Sequence, residues 1–549
     1  MKKSLFILLL IAITFACKQA PKTVIPEWIP YDESEEIDEN VDHESVRMRF
    51  KLIQSQILDK NNLWENVSGQ IKDFSEEDYQ RLKPMILEQN IPTIQSYVES
   101  GDLSYETLTQ WYLYRIVKYE NDRDKMLNAI VAINPNAVNE AREKDKSRSI
   151  EDHPIYGMPI LVKDNINVRG MPTTAGSHFL RNNIASDAFV VKKMKEKGAI
   201  ILGKTNLSEW ANFLFIGGPN GFSAVGGQTL NAYGRKVFDT GGSSSGSGVA
   251  MAANYAAGAV GTETSGSILS PSGKSSLVGL KPTVGLLSRS GAIPLASTLD
   301  TPGPMTRNVI DNAILLSAMS GKDPDDSSTR DNPENKKYPE NIETGTLQGL
   351  RFGVNKGLLS DSIYKLNVEK IVSMGGIAIE FEPVNINFEG FGNLLSADMV
   401  IDLPKYLDKY ASDDVSLRTM KEIVEYNKQD SLLKIPYGQA EFEGAATVEL
   451  TQEELTQLRT RLHSEGVRYF ETPMLEHQLD AILSIDNRNA AYAAAAKYPC
   501  LIVPMGFSEA GEPTGLTFIV RPFEEDKLLK MGYAFEQATK ARKLPEEYK

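Results

Sequence analysis

The chain is poor in residues that form disulfides or metal clusters. Cysteine occurs only at Cys17 and Cys500, and histidine occurs five times in 549 residues. A cysteine-based zinc site needs about four ligands at close spacing, which this sequence lacks. Basic residues are also outnumbered, giving a net charge of −14. Since phosphate backbones are bound by basic faces, we expect no nucleic-acid partner, and we expect no metal and no cofactor.

Long apolar runs are confined to the N-terminus, and no later run reaches the ~20 residues of a membrane span. Two lysines precede the apolar run 5–13, and a small residue stands directly before Cys17. This pattern is typical of a secretory signal and resembles a bacterial lipoprotein processing site, although Phe15 stands where a small residue is more usual. We therefore predict a lipoprotein signal peptide over 1–16. Lipidated Cys17 would hold an extracytoplasmic protein on a bacterial membrane by its lipid alone; the alternative is a plain signal peptide with an incidental cysteine.

The rest of the chain divides by composition. Residues 17–42 are acidic and contain prolines, which predicts a poorly ordered tether. Helical periodicity marks 43–91 as an N-terminal helical extension. Within 92–549, apolar runs alternate with helical stretches, which indicates an α/β domain around a mixed sheet. Residues 390–480 have mostly helical patterns, and the last strands are expected to complete a sheet begun before residue 300.

Two glycine- and serine-rich tracts stand close together, at Gly241–Gly248 and Gly261–Ser267. Glycine permits close backbone approach, and serine supplies nucleophiles and short hydrogen-bonding side chains. A flexible linker has a similar composition, but the intervening residues 249–259 are apolar and prone to form a helix. We interpret the two tracts as parts of one active site.

A third glycine-bearing segment, Gly198–Thr205, fits the letters of a phosphate-binding loop. Its four central residues are alanine, isoleucine, isoleucine and leucine, so the segment is predicted to be a strand. A phosphate loop follows a strand and wraps phosphate with flexible backbone. Nucleotide binding is therefore not expected.

A serine nucleophile needs a base within hydrogen-bonding reach, and none of the five histidines lies in a motif suited to that role. Lys163 ends an apolar strand pattern and is the best candidate. Burial disfavours the charged form of a lysine and lowers its pKa, so that the amine can accept a proton. An exposed lysine paired with the adjacent Asp164 is an equally good interpretation of the local sequence.

Taken together, the motifs resemble the amidase signature family of serine hydrolases. The resemblance extends from about residue 92 to the end of the chain. It implies an α/β amidase signature fold, with a large twisted mixed β-sheet core surrounded by α-helices. The motifs are Gly157–Asn165, Thr174–Ser177, Gly203–Asn206 with Ser208 and Glu209, Gly242–Gly248, Gly261–Ser267, Gly279–Thr283, Asp300–Pro304, Tyr498-Pro499, Val503-Pro504, Gly515-Leu516 and Arg521-Pro522.

The resemblance implies a catalytic triad and an oxyanion site. In this numbering Ser267 is the nucleophile, Ser243 is the bridging serine after a cis peptide bond, and Lys163 is the base. Backbone N–H groups of residues 264–267, in particular those of Thr264, Ser265 and Gly266, would hold the oxyanion. The implied reaction is hydrolysis of a carboxamide C–N bond through an acyl-enzyme.

Two residues depart from the family pattern: Ser265 stands where a glycine is usual, and Leu269 where an arginine is usual. Both are expected to alter the pocket floor. Runs 261–268 and 279–289 are most similar to peptide amidases, which remove C-terminal amide groups from peptides, so the implied substrate is a small-molecule or peptide amide.

Two alternatives stay open beside this hypothesis. One is a glutamine amidohydrolase resembling the glutamine-hydrolysing subunit of the tRNA-dependent amidotransferase, which the lipoprotein-like N-terminus disfavours. The other is a non-catalytic lipoprotein built on an amidase fold, which retention of all three triad residues disfavours.

Overall fold

A computed structural model describes residues 23–149, 152–329 and 337–549. The expected signal peptide 1–16 and the lipidation site Cys17 lie outside these residues. In the described part of the chain, no helix is both long and apolar enough to cross a membrane.

Strands and helices occur throughout the described residues and are joined by loops. The strands are β1 (Ile130–Ile133), β2 (Pro159–Lys163), β3 (Ile200–Thr205), β4 (Phe222–Ser223), β5 (Gly227–Gln228), β6 (Gly258–Glu263), β7 (Val278–Lys281), β8 (Thr301–Thr306), β9 (Arg351–Asn355), β10 (Ile377–Phe381), β11 (Ala481–Ile485), β12 (Cys500–Phe507) and β13 (Pro513–Ile519). The helices of the first half are α1 (Ser34–Asp38), α2 (Lys60–Ile71), α3 (Glu76–Ile86), α4 (Ile91–Ser100), α5 (Tyr105–Glu120), α6 (Ala137–Ser147), α7 (Phe189–Glu196), α8 (Glu209–Asn212), α9 (Ser245–Ala252) and α10 (Leu269–Gly273). Those of the second half are α11 (Val309–Met319), α12 (Ser362–Ser373), α13 (Phe391–Lys409), α14 (Met420–Lys428), α15 (Ser431–Lys434), α16 (Ala440–Ala445), α17 (Gln452–Glu476), α18 (Ala490–Ala496) and α19 (Glu525–Thr539).

One large mixed sheet forms the centre, as the sequence predicts. Its strand order among the described residues is β1-β3-β2-β6-β8-β7-β12-β13-β11-β9-β10. Strands β2, β3 and β6 run parallel to one another, whereas β6, β8, β7, β12 and β13 are joined antiparallel. The late strands β12 and β13 therefore complete a sheet that begins before residue 300. The expected architecture, a large mixed sheet surrounded by helices, is confirmed.

The two parallel strands β2 and β6 determine where the functional residues meet. Every residue of both strands is buried, as expected for parallel strands covered on both faces. Ile160 pairs with Gly258 and Val162 with Val260. Because the carboxyl ends of parallel strands meet at one edge of a sheet, Lys163 and the residues that follow Val260 lie side by side.

The segment expected to be a poorly ordered tether is partly held against the domain. In its described part, residues 23–42, Trp28 is buried and its backbone N–H donates to Asn61 Oδ1 at 2.8 Å. The Glu33 carboxylate accepts from the backbone N–H groups of Ile53 (3.1 Å) and Gln54 (2.7 Å). An acidic, proline-bearing composition predicts disorder, but an aromatic anchor and a carboxylate with backbone donors oppose it here.

The region 390–480 is mostly helical, as the sequence predicts, and contains α13 to α17. Its apolar side chains form a second core with the loop around residue 210, where the rings of Trp210 and Phe442 lie 5.1 Å apart. Helix α13 brings Tyr406 to the cavity described below, and Tyr410, which directly follows that helix, lines it as well. This region therefore forms one wall of the candidate site.

Candidate active site

Lys163 lies fully buried at the carboxyl end of β2. Its Nζ is 2.7 Å from Ser243 Oγ, 2.9 Å from Thr262 Oγ1 and 3.3 Å from the Thr262 carbonyl oxygen. Asp164 does not pair with it, because the Asp164 carboxylate lies 3.0 Å from Lys204 Nζ. The interpretation of Lys163 as an exposed, ion-paired lysine is therefore wrong.

The surroundings of Lys163 favour its neutral form. Burial lowers the pKa of Lys163 to about 7, and the carboxylates of Asp300 and Glu263 oppose part of that shift. A neutral amine has two N–H donors and one lone pair. The two Thr262 oxygens can accept both N–H groups, which leaves the lone pair facing Ser243 Oγ. The arrangement is that of a base hydrogen-bonded to a serine hydroxyl.

Ser243 follows a cis peptide bond with Gly242, as the family resemblance implies. Its side chain is buried, and its carbonyl accepts from the Ser208 backbone N–H at 3.0 Å. A Cβ at position 242 would lie 2.5 Å from Ser208 Oγ. Glycine is required there because the loop passes so close to Ser208.

Ser267 lies in the turn between β6 and α10 and is half-buried. Its carbonyl accepts from the backbone N–H of Ser244 at 3.1 Å, which places it next to the loop that carries Ser243. Within the described ranges, no side chain hydrogen-bonds the Ser267 hydroxyl. The structure thus brings Lys163 and Ser243 into direct contact and holds Ser267 against Ser244, the residue that follows Ser243.

The turn that holds the expected oxyanion donors is fixed by a buried carboxylate. Glu263 Oε2 accepts from the backbone N–H groups of Ile268 (2.7 Å) and Leu269 (2.9 Å). Gly266 has φ of +106°, and a Cβ there would lie 2.7 Å from Asn487 Nδ2. Residues 264–266 therefore form a tight turn, and their role as oxyanion donors stays a prediction.

Sequence reasoning missed the residues that hold the base. Thr262 contacts Lys163, and its hydroxyl also accepts from Asn165 Nδ2 at 2.9 Å. Both residues stand in motifs that the family resemblance covers, but the motifs alone do not indicate what they contact. No local signal in the sequence points to Thr262, because its contact with Lys163 depends on the pairing of β2 with β6.

The remaining serines of the first tract support the backbone. Ser244 Oγ donates to the Thr262 carbonyl at 3.1 Å, and Ser245 Oγ donates to the Gly241 carbonyl at 2.6 Å. Ser247 Oγ donates to the Val260 carbonyl at 3.2 Å. The bonds of Ser244 and Ser247 attach α9 and its preceding loop to β6, and the bond of Ser245 joins the start of α9 to that loop. These contacts explain the surplus of small hydroxyl residues.

The segment that matches the letters of a phosphate-binding loop contains strand β3, as the sequence predicts. Its lysine, Lys204, is fully buried in an ion pair with Asp164 and also donates to Thr173 Oγ1 at 2.8 Å. Breaking such a buried pair by removing one partner is strongly destabilising. Lys204 is therefore a structural residue rather than a phosphate ligand.

A cavity of about 280 Å³ opens beside the base, at Asn165, Thr262 and Thr264. Its walls combine apolar and charged side chains. They include Ala211, Arg289, Ala292, Ile293, Pro294, Leu295, Asp300, Asp326, Asp402, Lys405, Tyr406, Lys409 and Tyr410. No group of three or more His, Cys, Asp or Glu residues in the described ranges could hold a metal ion.

Of the two positions expected to alter the pocket floor, Leu269 does not lie in this cavity. Leu269 is 1% exposed and packs in an apolar cluster with Phe470 and Ile502. A leucine in place of the usual arginine therefore changes the core under the turn rather than the wall of this cavity.

Comparison with known proteins gives consistent matches over most of the chain. A family model described as Amidase matches residues 108–484. A probable amidase of Arabidopsis thaliana is 35% identical over 479 residues, covering 84% of this chain and 92% of that protein.

Solved structures are similar as well. An amidase family protein from Bacillus anthracis has a TM-score of 0.85 at 36% identity, covering 90% of this chain and 99% of that one. The native peptide amidase of Stenotrophomonas maltophilia has a TM-score of 0.79 at 35% identity, covering 84% of this chain and 99% of that one.

The buried amine predicts a specific pH dependence of stability. Above pH about 7 the folded protein holds Lys163 neutral, whereas the unfolded chain keeps it protonated up to about 10.5. Between these values the unfolded state binds more protons, so the free energy of unfolding should rise with pH. Relative to Lys163→Met, the wild type should gain about 1.4 kcal/mol per pH unit in this window.

Urea unfolding at pH 7.5 and 9.5 measures this difference. Lys192→Met is the matched control, since that side chain is 66% exposed, and it should give the same difference from wild type at both pH values. A pH-independent difference for Lys163→Met would show that Lys163 is not held neutral.

Proposed function

Because the chain belongs to the amidase signature family and is an amidase, we propose that it hydrolyses a carboxamide C–N bond with Ser267 as nucleophile, Ser243 as proton bridge and Lys163 as base. The observation that carries this proposal is the buried Lys163 amine, 2.7 Å from Ser243 Oγ, with its pKa lowered to about 7. A base whose pKa lies near the working pH is the most efficient proton acceptor.

In the first step, Ser267 Oγ attacks the amide carbonyl carbon. Its proton passes to Ser243 Oγ as the Ser243 proton passes to Lys163 Nζ, so Lys163 becomes an ammonium. The carbonyl oxygen becomes an oxyanion, which backbone N–H groups of residues 264–267 would stabilise. One such donor is worth about 3–4 kcal/mol in comparable sites.

In the second step, the tetrahedral intermediate collapses. The C–N bond breaks, and the proton returns from Lys163 through Ser243 to the leaving nitrogen. Water then attacks the acyl-enzyme with the same pair accepting its proton, which releases the carboxylic acid and regenerates Ser267. The partial exposure of Ser267 fits its access to substrate and water.

A fluorophosphonate probe tests the assignment of the nucleophile and the base. Wild type should be labelled and Ser267→Ala should not, because the probe reacts only with an activated serine. Lys163→Ala and Ser243→Ala should each lower kcat at least about a hundredfold, the scale of lost acid–base catalysis.

Ser245→Ala is the matched control, since Ser245 begins the helix that follows the Ser243 loop and, among the described residues, its hydroxyl bonds only the Gly241 carbonyl. It should keep activity within a few-fold of wild type. Labelling that survives in Ser267→Ala would refute the nucleophile assignment.

For the substrate, the proposal is a peptide with a C-terminal carboxamide. The similarity to the Stenotrophomonas maltophilia peptide amidase supports it. The cavity chemistry also supports it, because each of the three cations that line it in the described ranges already has an anionic partner. Arg289 pairs with Asp326 (2.6 Å), Lys405 with Asp402 (3.1 Å) and Lys409 with Asp325 (3.0 Å).

A free α-carboxylate, as in glutamine, would therefore find no unpaired cation among the described residues of this wall, whereas a neutral peptide amide needs none. Burying that carboxylate without a compensating cation costs free energy, which disfavours glutamine as the ligand.

Ammonia release from a panel of amides tests this specificity. N-blocked dipeptide amides should exceed free glutamine in kcat/KM by about a hundredfold. Fatty acyl amides and aryl amides complete the panel. If glutamine were the best substrate, the peptide-amide proposal would be overturned, but the proposal that the enzyme hydrolyses a carboxamide bond would still hold.

We also propose that the enzyme is extracytoplasmic and anchored by lipid at Cys17. The support is sequence alone: two lysines, the apolar run 5–13 and a small residue before Cys17. Two acyl signals together give stable membrane attachment, whereas one gives marginal binding.

Fractionation of bacterial cells that express the full chain tests the anchor. Wild type should sediment with membranes and carry acyl chains on Cys17 by mass spectrometry. Cys17→Ala should leave the membrane fraction, and the buried Cys500 provides the control in Cys500→Ala, which should stay membrane-bound. An unmodified Cys17 would contradict the proposal.

A further inference from the structure

Asp300 connects the turn at the candidate site to the cavity wall. It is half-buried and stands directly before β8. One carboxylate oxygen accepts from Thr264 Oγ1 at 2.6 Å. The other accepts from the backbone N–H groups of Leu295 (2.8 Å) and Ala296 (2.9 Å). Both oxygens are thus fixed by donors from two separate segments.

Asp300 lies at the same edge of the sheet as Lys163, because β8 begins where β2 and β6 end and β6 lies between the two. Of the nearby carboxylates, those of Asp300 and Glu263 raise the pKa of Lys163. Of the two, Asp300 exerts the larger effect and Glu263 the smaller. One carboxylate oxygen of Glu263 accepts from two backbone N–H groups of the nucleophile turn, and Lys281 is a nearby cation. The cation that faces Asp300 is Arg289, which is itself hydrogen-bonded to Asp326. Asp300 therefore places a negative charge at the edge of the sheet where the Lys163 amine lies.

These contacts bear on the charge that forms during catalysis. Burial raises the pKa of Asp300 to about 6, so its carboxyl group is mostly ionised at pH 7 and above. The buried Lys163 amine gains a full positive charge when it takes the proton that leaves Ser267 by way of Ser243. An opposite charge nearby stabilises that ammonium, and this interaction strengthens as the transition state forms.

We propose that Asp300 is a positioning residue with two separable roles: it fixes Thr264, whose N–H belongs to the expected oxyanion site, and it supplies the negative charge that stabilises the Lys163 ammonium during catalysis. The inference rests on the proposed function. No proton moves to Asp300 in this scheme; it stays a carboxylate while Lys163 changes from neutral to cationic and back.

Two variants separate the roles. Asp300→Asn removes the charge and nearly keeps the shape, so Lys163 should become a weaker base. The acid limb of the pH profile of kcat/KM, near pH 7 in wild type, should move down by about one pH unit, and kcat on the plateau should fall at least about tenfold.

Thr264→Val removes the hydrogen bond and keeps the Asp300 carboxyl group. On the plateau of the pH profile, well above the pKa of Asp300, it should lower kcat at least about tenfold. Thr264→Ser should restore most of the rate because it restores the donor.

Each outcome decides one claim. An unmoved acid limb in a folded Asp300→Asn variant overturns the charge role, and a Thr264→Val variant with wild-type kcat overturns the positioning role. Thermal unfolding of every variant verifies that the protein is folded. If Asp300→Asn fails to fold, Asp300→Glu replaces it. This variant keeps the charge and disturbs the hydrogen bonds, so it should keep the acid limb of wild type. Absence of hydrolysis by wild type on any amide would instead refute the proposed function.

Discussion

Burial of the Lys163 amine at the ends of two parallel strands is the constraint on which the candidate site depends. Strand β2 delivers the lysine, and strand β6 delivers Thr262, whose two oxygens accept its N–H groups. A lysine is normally protonated at neutral pH, so only removal from water makes it a useful base there. Ser243 gives that neutral amine a hydroxyl partner. The carboxylates of Asp164, Glu263 and Asp300 are each hydrogen-bonded to other groups.

Around this amine, the buried charges are arranged so that each has a distinct partner. Asp164 neutralises Lys204 on the neighbouring strand and leaves Lys163 unpaired. Glu263 holds the nucleophile turn by its backbone, and Asp300 holds the same turn by the Thr264 hydroxyl. One buried acceptor on the cavity wall, Asn165 Oδ1, has no partner in the described part of the chain. An amide N–H of a bound substrate would satisfy it.

Much of the fold could be predicted from the sequence because it depends on local periodicity. The strand at residues 200–205, the helices within 390–480 and the return of the last strands to the sheet all follow from apolar patterns. The motifs around Lys163, Ser243 and Ser267 indicated the family because they are specific as a set. Their catalytic roles stay predictions, whereas their placement within one region is a feature of the structure.

The rest depended on tertiary contacts that no local pattern encodes. The partner of Asp164 is Lys204, forty residues away, rather than its neighbour Lys163. Leu269 is in the core because the turn directs it there, and residues 23–42 are held by Trp28 and Glu33 despite their acidic composition. Thr262 and Asp300 stood inside recognised motifs, but their function depends on which side chains face them across the sheet.

Direct titration of the Lys163 amine tests the central claim most closely. Nitrogen-15 NMR of protein labelled at lysine Nζ, with the signal assigned by its loss in Lys163→Met, reports protonation without any substrate. The account predicts a midpoint near pH 7. A midpoint near the 10.5 of an ordinary lysine would contradict it, since Lys163 would then be cationic whenever the enzyme works.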